Sequence, residues 1–487
     1  MKTILILMDS LNRHFLGLYG RGMAITPNID RLARRGVVFD SHYVGSLPCM
    51  PARREMMTGR LNFLEAPWGP IEPWDDCLPP LLRGQRGTYS HLITDHYHYF
   101  HSGGENYHTL FNSWEFERGQ EGDVWRPLVK DPPVPPTRGK GMARRAYWAN
   151  RAFMDAERDE AYSTPRCFMR AVDFLEHNHD ADNWHLHLEL FDPHEPFDCP
   201  RKYRDLYQDT WNRYLYTWPA YGPLDPEQDD PEAVAHIRKC YGGTLTMADA
   251  WLGRLLDKMD EFDLWKDTAV ILTTDHGHLL GEHGCWAKNY MLDYSELAHI
   301  PLVVCHPAIE AGRRVKALTA TMDLMPTLMD LHGAAPPDGA HGKSFRPLLR
   351  EDGRHHDAVL FGYFGKDINM TDGRTTYCRQ PVEGAVVYHH TAMPRGFSDF
   401  LDRDSLRRAE LGVFLKRCHG IPHYRIPRPS HRHRDAPPFN PIYDVAADPG
   451  QNHPIQDAAL ETKLAARMKE LLIRADAPDC QFARTGL

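Results

Sequence analysis

Cys49 stands four residues before an arginine in Cys49-Met50-Pro51-Ala52-Arg53, and Thr58-Gly59-Arg60 follows. The run reads as the start of a helix. A helix N-terminus offers free N–H groups and the positive end of its dipole, and an arginine adds a fork of donors. Together they suit an anionic substrate held beside a nucleophile. A buried thiol is the plain alternative for Cys49, but a core thiol calls for neither Pro51 nor Arg53.

Three more groups end stretches that read as strands. Asp9 follows residues 3–8, the pair Asp275-His276 follows 269–274, and Asp192-Pro193-His194-Glu195-Pro196 comes directly after 184–191. Open α/β sheets place their ligands at the C-terminal ends of strands. One carboxylate there is usually a cap or a turn former; several on one sheet edge point to a site. Asp9 and Asp275 supply hard oxygen ligands and His276 an imidazole nitrogen, a set that suits a divalent cation. Such a cation holds an oxygen of an anionic substrate and helps deprotonate a nucleophile.

The elements that must position these residues follow from periodicity. Residues 3–8 are an apolar run, the pattern of a strand covered on both faces. Thr26-Pro27 starts a helix that Gly36 stops, and 37–39 begins a second strand. Helices at 79–83, 164–177, 231–262 (interrupted at Gly242-Gly243) and 322–331 alternate with strands at 90–93, 184–191, 269–274 and 301–305. That alternation predicts an α/β domain with a largely parallel sheet. Composition shifts at the Pro/Gly-rich stretch 334–342. Beyond it, short strands at 358–364, 375–379 and 385–390 and a helix at 459–474 predict a smaller α+β domain with an antiparallel sheet. The expected division is 1–350 and 351–487. The segment 105–140 is rich in Trp, Gly and Pro without a period; it is either an insertion that shapes the substrate pocket or a surface excursion.

The chain has 487 residues, 42% hydrophobic and 25% charged, enough for a large core and two domains. A net charge of −9 argues against a nucleic-acid partner, and the basic residues gather only in a short Arg/His stretch near 425–434. Ile4–Leu7 is too short for a signal-peptide core and Asp9 closes it. No apolar stretch approaches the roughly 20 residues that span a membrane. The ten cysteines lack paired spacing, which predicts reduced thiols and a cytoplasmic location.

The motifs also carry a resemblance. Met8-Asp9, Thr26-Pro27-Asn28-Ile29-Asp30-Arg31-Leu32, Cys49 to Arg60, Asp192-Pro193-His194 and Thr274-Asp275-His276-Gly277 occur in the order seen in the type I sulfatases. Their relatives include the phosphonate monoester hydrolases of the alkaline phosphatase superfamily. Tyr443-Asp444 and Asp448-Pro449 resemble that family's C-terminal domain, so the likeness spans nearly the whole chain. The resemblance implies an alkaline phosphatase/sulfatase-like α/β fold, with a large mostly parallel sheet sandwiched by helices and a smaller C-terminal α+β domain. It implies that an oxygen-dependent maturation enzyme converts Cys49 to formylglycine, an aldehyde that becomes the nucleophile, with Arg53 as its charged neighbour. Asp9, Asp275, His276 and the modified side chain at position 49 would hold one divalent cation, Ca²⁺ or Mn²⁺. Lys288 matches the lysine that contacts the substrate anion, and His194 the histidine facing the leaving group.

Two positions depart from the family pattern. Many sulfatases carry a second aspartate where this chain has Ser10. Many carry Gly-Lys-x-His where it has Thr94-Asp95-His96, so only His96 is matched. Both changes remove charge from the anion site. The activity implied is hydrolysis of small anionic sulfate monoesters, that of a sulfuric ester hydrolase. Cleavage of phosphonate monoesters or phosphodiesters by the same groups is the alternative, and a non-catalytic metal-binding homologue is a third reading. Trp68, Trp74, Trp114 and Trp125 can stack on a sugar or aryl ring or simply fill core. Enzymes of this kind are often homo-oligomers, and the Arg/His stretch is a candidate interface.

Overall fold

In a computed structural model, which describes residues 1–20, 22–140, 144–434 and 436–487, the apolar runs assemble into one eight-stranded sheet. Its order is Arg313–Ala320, Val37–Tyr43, Leu302–Cys305, Thr268–Thr273, Lys2–Met8, Trp184–Leu190, Tyr89–Thr94 and Ser113–Phe116. Leu302–Cys305 runs antiparallel to both neighbours, and the other pairings are parallel. The sheet is thus mixed but mostly parallel among the described residues.

The register decides what the sheet can do. Lys2–Met8 lies between Trp184–Leu190 and Thr268–Thr273, and Leu7 pairs with Glu189 on one side and Thr273 on the other. The three strands therefore end level, and the residues just beyond them share one edge. All three strands are buried throughout. Side chains alternate across a strand, so Ile4, Ile6 and Met8 enter one layer while Leu5 and Leu7 enter the other. The first layer is packed by the helices Pro27–Arg35, Ser163–Asn178 and Pro231–Glu261, the second by Leu78–Arg86 and Leu324–Leu331.

The long helix corrects one expectation. Pro231–Glu261 runs without interruption through Gly242 and Gly243. These glycines serve close approach. A Cβ on Gly242 would lie 2.8 Å from carbons of the Tyr207 ring, and one on Gly243 3.1 Å from Cys199 Sγ. Tyr207 is pinned there, because its hydroxyl bonds Gly242 O at 3.0 Å and Thr246 Oγ1 at 2.6 Å.

A five-stranded sheet follows the order Ile442–Asp444, Thr375–Arg379, Ile368–Thr371, Val359–Tyr363 and Ser46–Leu47. Ile368–Thr371 was not expected as a strand: its alternation covers only four residues, too few to stand out from a loop. The helix Ala458–Arg474 covers this sheet through Leu464, Met468 and Leu472. Ser46–Leu47 belongs to the N-terminal part of the chain and leads directly to Cys49, so the smaller sheet grips the segment entering the helix Cys49–Thr58. Part of the Arg/His stretch forms the strand His423–Pro429, paired on both sides, and His433 is buried.

Gly242→Ala tests the close-approach reading. It is expected to lower stability by about 1–3 kcal/mol through overpacking. At a helix break the same alanine would raise stability by about 1 kcal/mol; urea unfolding distinguishes the two.

Candidate active site

The helix Cys49–Thr58 starts at Cys49, and all ten of its side chains are buried. Its end explains Thr58-Gly59-Arg60: Thr58 Oγ1 donates to Arg54 O at 2.7 Å, and Gly59 takes the left-handed conformation (φ 65°) that closes the helix. Arg53 projects from this helix onto the sheet edge. Its Nη1 donates to Asp275 Oδ2 at 2.6 Å, Nη2 to Asp9 Oδ2 at 2.9 Å, and Nε to Glu189 Oε1. One guanidinium thus ties together the ends of three adjacent strands.

Asp9, Cys49, Asp275 and His276 each offer one donor atom, all within 4.8 Å of one another and all buried. His276 is oriented through Nδ1, 2.8 Å from Gly277 O, which turns Nε2 to within 3.2 Å of Cys49 Sγ. The Lys288 ammonium lies among these donors: 3.1 Å from His276 Nε2, 3.2 Å from Cys49 Sγ, 3.3 Å from Ser10 Oγ and 4.0 Å from Asp9 Oδ1. A cation therefore already sits where the donors point, and two carboxylates with an imidazole fit a divalent ion.

Ser10 occupies the place of the second aspartate. Its hydroxyl donates to Asp9 Oδ1 at 2.8 Å and accepts from Lys288, while its amide donates to Asp275 Oδ1 at 3.1 Å. Reaching both aspartates puts Ser10 at φ 62°, a conformation that costs a non-glycine residue about 1–3 kcal/mol.

The electrostatics follow from burial and these partners. Burial alone would raise the Asp9 carboxyl; Arg53, then Lys288, outweigh it and hold the group at about 2. Burial, reinforced by Asp9, pushes the Cys49 thiol well above its ordinary range, so an unmodified Cys49 is no thiolate. Burial works against the Lys288 ammonium, but the surrounding anionic charge, Asp9 and Glu195 included, keeps it protonated.

His96 and His194 stand behind this group. His96 Nδ1 is 3.9 Å from Asp9 Oδ2, and neither ring nitrogen has a hydrogen-bond partner. His194 Nδ1 lies 2.6 Å from Glu195 O. Burial depresses both histidines well below the usual imidazole range, leaving them neutral. Asp95, where the family has lysine, faces away from the aspartates: it accepts from Ser163 Oγ at 2.8 Å, Thr164 Oγ1 at 3.1 Å and Phe191 N at 2.7 Å. Burial raises its carboxyl to about 7.

Glu189, Arg53's third partner, escaped the sequence reading, and Glu195 was given no role of its own there; it receives His278 Nε2 at 3.1 Å and lies 3.8 Å from Lys140 Nζ. A signal for Glu189 existed. His185, His187 and Glu189 alternate within a strand buried on both faces, and a buried carboxylate must find a partner. The insertion 105–140 reaches the site: Gln120 Nε2 donates to Asp192 Oδ1 at 2.9 Å, Glu121 accepts from Tyr97 OH at 2.8 Å, and Lys140 faces Glu195. Of the four tryptophans singled out, Trp68 borders the histidine wall, its ring 5.1 Å from His98, which is 4.8 Å from His96. Trp74 is core.

Residues 2–334 match the family model described as Sulfatase. The chain belongs to the sulfatase family. This sulfatase-family chain is similar to the multifunctional alkaline phosphatase superfamily protein PehA of Trinickia caryophylli, with 25% identity over 423 residues, 72% of this chain and 77% of that protein. It is 24% identical to the choline-sulfatase of Rhizobium meliloti (strain 1021) over 369 residues, 68% of this chain and 67% of that one. Its fold is like that of the phosphonate monoester hydrolase of Agrobacterium radiobacter, with a TM-score of 0.68 at 18% identity, covering 97% and 96% of the two chains.

Removing the guanidinium from this sulfatase-family site leaves three buried carboxylates uncompensated. Arg53→Ala is expected to cost about 3–5 kcal/mol, and adding Glu189→Gln should recover part of it. Denaturant unfolding of metal-stripped protein measures both; a loss under about 1 kcal/mol would show that the network is not structural.

Proposed function

We propose that this chain is a metal-dependent hydrolase of sulfate monoesters whose nucleophile is a formylglycine made from Cys49 by a maturation enzyme. One observation carries the reading. Cys49 opens a buried helix at the carboxylate-lined sheet edge, with the Lys288 ammonium 3.2 Å from its side chain.

Asp9, Asp275, His276 and the modified residue 49 would hold one divalent cation, Ca²⁺ or Mn²⁺. Bound there, it supplies positive charge to the ester and favours an ionised nucleophile. A hydrated formylglycine supplies two hydroxyls, one to attack sulfur and one to release sulfate again, which a thiol lacks.

The chain's own residues do the rest. Lys288 places a protonated amine against position 49, where it offsets the charge of the sulfate group and carries a proton for the departing alcohol. With Nδ1–H committed to Glu195 O, the neutral His194 presents Nε2 as an acceptor, so it orients the alcohol while Lys288 serves as the proton source. Arg53 has its donors occupied by carboxylates. It fixes the two metal-binding aspartates and the start of the nucleophile helix rather than binding sulfate. His96, neutral and unpartnered, lines the wall beside Asp9 and offers hydrogen bonds to the substrate anion.

Hydrolysis of phosphonate monoesters or phosphodiesters is the second reading. Ser10 is compatible with it, since the resemblance to phosphonate monoester hydrolases allows a neutral residue after the first aspartate.

The mass of the peptide bearing residue 49, from protein made with and without the maturation enzyme, tests the nucleophile. Conversion of thiol to aldehyde should accompany activity, and fully active protein with unmodified Cys49 would sink the proposal. Cys49→Ala should abolish ester hydrolysis. Lys288→Ala should lower kcat by about 10²–10³-fold. Sulfate release compared with phosphorus-ester cleavage by one preparation decides between the two readings.

A further inference from the structure

Away from the catalytic edge, a second group of donors converges where the helix Leu324–Leu331 begins. Asp323 is completely buried. Its Oδ2 accepts from Ala320 N at 2.9 Å and its Oδ1 from Lys343 N at 2.9 Å, which leaves lone pairs on both oxygens. His355 and His356, adjacent in the segment before the strand Val359–Tyr363, both aim Nε2 at this carboxylate. His356 Nε2 is 2.8 Å from Oδ1 and 3.0 Å from Oδ2; His355 Nε2 is 3.3 Å from Oδ2. One donor atom from each residue lies within 4.8 Å of the other two.

Hydrogen bonding accounts for only part of this arrangement. His356 is satisfied by the carboxylate. The His355 side chain is 6% exposed, yet its Nε2 makes no hydrogen bond, because its approach to Asp323 is misaligned for one. A buried nitrogen whose only polar contact is poorly aligned costs up to about 1–3 kcal/mol. A metal ion bound between the three donors removes that difficulty. Ligands about 2.0–2.1 Å from a tetrahedral Zn²⁺ lie roughly 3.3 Å apart, the separation of His355 Nε2 from Asp323 Oδ2, and all three donor atoms lie within 4.8 Å of one another.

The nearby cations are engaged elsewhere. Lys343 Nζ donates to His355 O at 2.6 Å, Arg354 pairs with Asp357, and Arg467 lies 3.3 Å from Asp372. Both histidines also line a cavity of about 400 Å³.

We propose that Asp323, His355 and His356 form a second metal site, for a Zn²⁺-class ion, distinct from the Asp9–His276 group. Three protein ligands with one open position is a pattern that zinc accepts. The ion would fasten the segment leading into the smaller sheet to the start of a helix packed on the large one. His356 N, bonded to Leu318 O at 3.1 Å, already holds that segment in place.

Co²⁺ titration of the full, chelator-treated chain tests the site, with metal counted by elemental analysis and geometry read from visible absorption. The parent should take up one equivalent more than His355→Ala or His356→Ala and show the intense bands of tetrahedral Co²⁺. Each variant should lose those bands, with affinity at this site reduced by more than about 100-fold. Equal uptake by parent and variants would overturn the proposal. So would a parent spectrum without tetrahedral bands, which decides the question even where neither variant folds.

Discussion

The structure depends on the guanidinium of Arg53. Three parallel strands end level and deliver Asp9, Glu189 and Asp275 to one dry edge, where unpaired carboxylates carry a penalty of several kcal/mol each. Arg53 meets all three with three separate donors, a task a lysine ammonium cannot perform with the same geometry. The helix Cys49–Thr58 is therefore docked by the same contacts that make its surroundings tolerable. Cys49 and Arg53 sit one helical turn apart, so the position of one follows from the anchoring of the other.

Charge counting shows what such an edge can accept. Three carboxylates against Arg53 and Lys288 leave one negative charge. A bound dication would reverse it to one positive charge, which a singly charged ester offsets before the nucleophile ionises. Sulfate monoesters, phosphonate monoesters and phosphodiesters all carry that single charge. A doubly charged phosphate monoester would bring a further negative charge among buried carboxylates, where charge is costly. The selectivity expected from electrostatics is therefore between ester classes by charge, and the choice between sulfur and phosphorus falls to finer contacts.

Much of the site was legible because its residues interrupt clear periodic patterns. Asp9 and Asp275 end apolar runs, and Pro51 and Arg53 beside Cys49 are residues that a plain core thiol does not call for. Glu189 was hidden by the opposite circumstance, lying inside a stretch already explained as a buried strand. Gly242 and Gly243 look like a helix break in one dimension, and only the Tyr207 ring beside them shows why side chains are excluded. The reversed direction of Leu302–Cys305 leaves no trace in local composition, since strand direction is fixed by connections rather than by residues. The same limit applies to Asp323 with His355 and His356, whose convergence depends on packing between segments more than thirty residues apart.

Ser10 and Asp95 show how the departures from the family pattern have been absorbed. Asp95 does not project an opposite charge toward the substrate. It is turned aside to clamp Ser163, Thr164 and Phe191, and so braces the strand end that precedes His194. Ser10 has the more direct effect. A hydroxyl that donates to Asp9 and accepts from Lys288 links the lysine to this carboxylate without adding charge. An aspartate at this position would pull the ammonium into an ion pair and restrain it there. With serine the ammonium is held by a hydroxyl rather than a second carboxylate, so this corner of the site carries less negative charge.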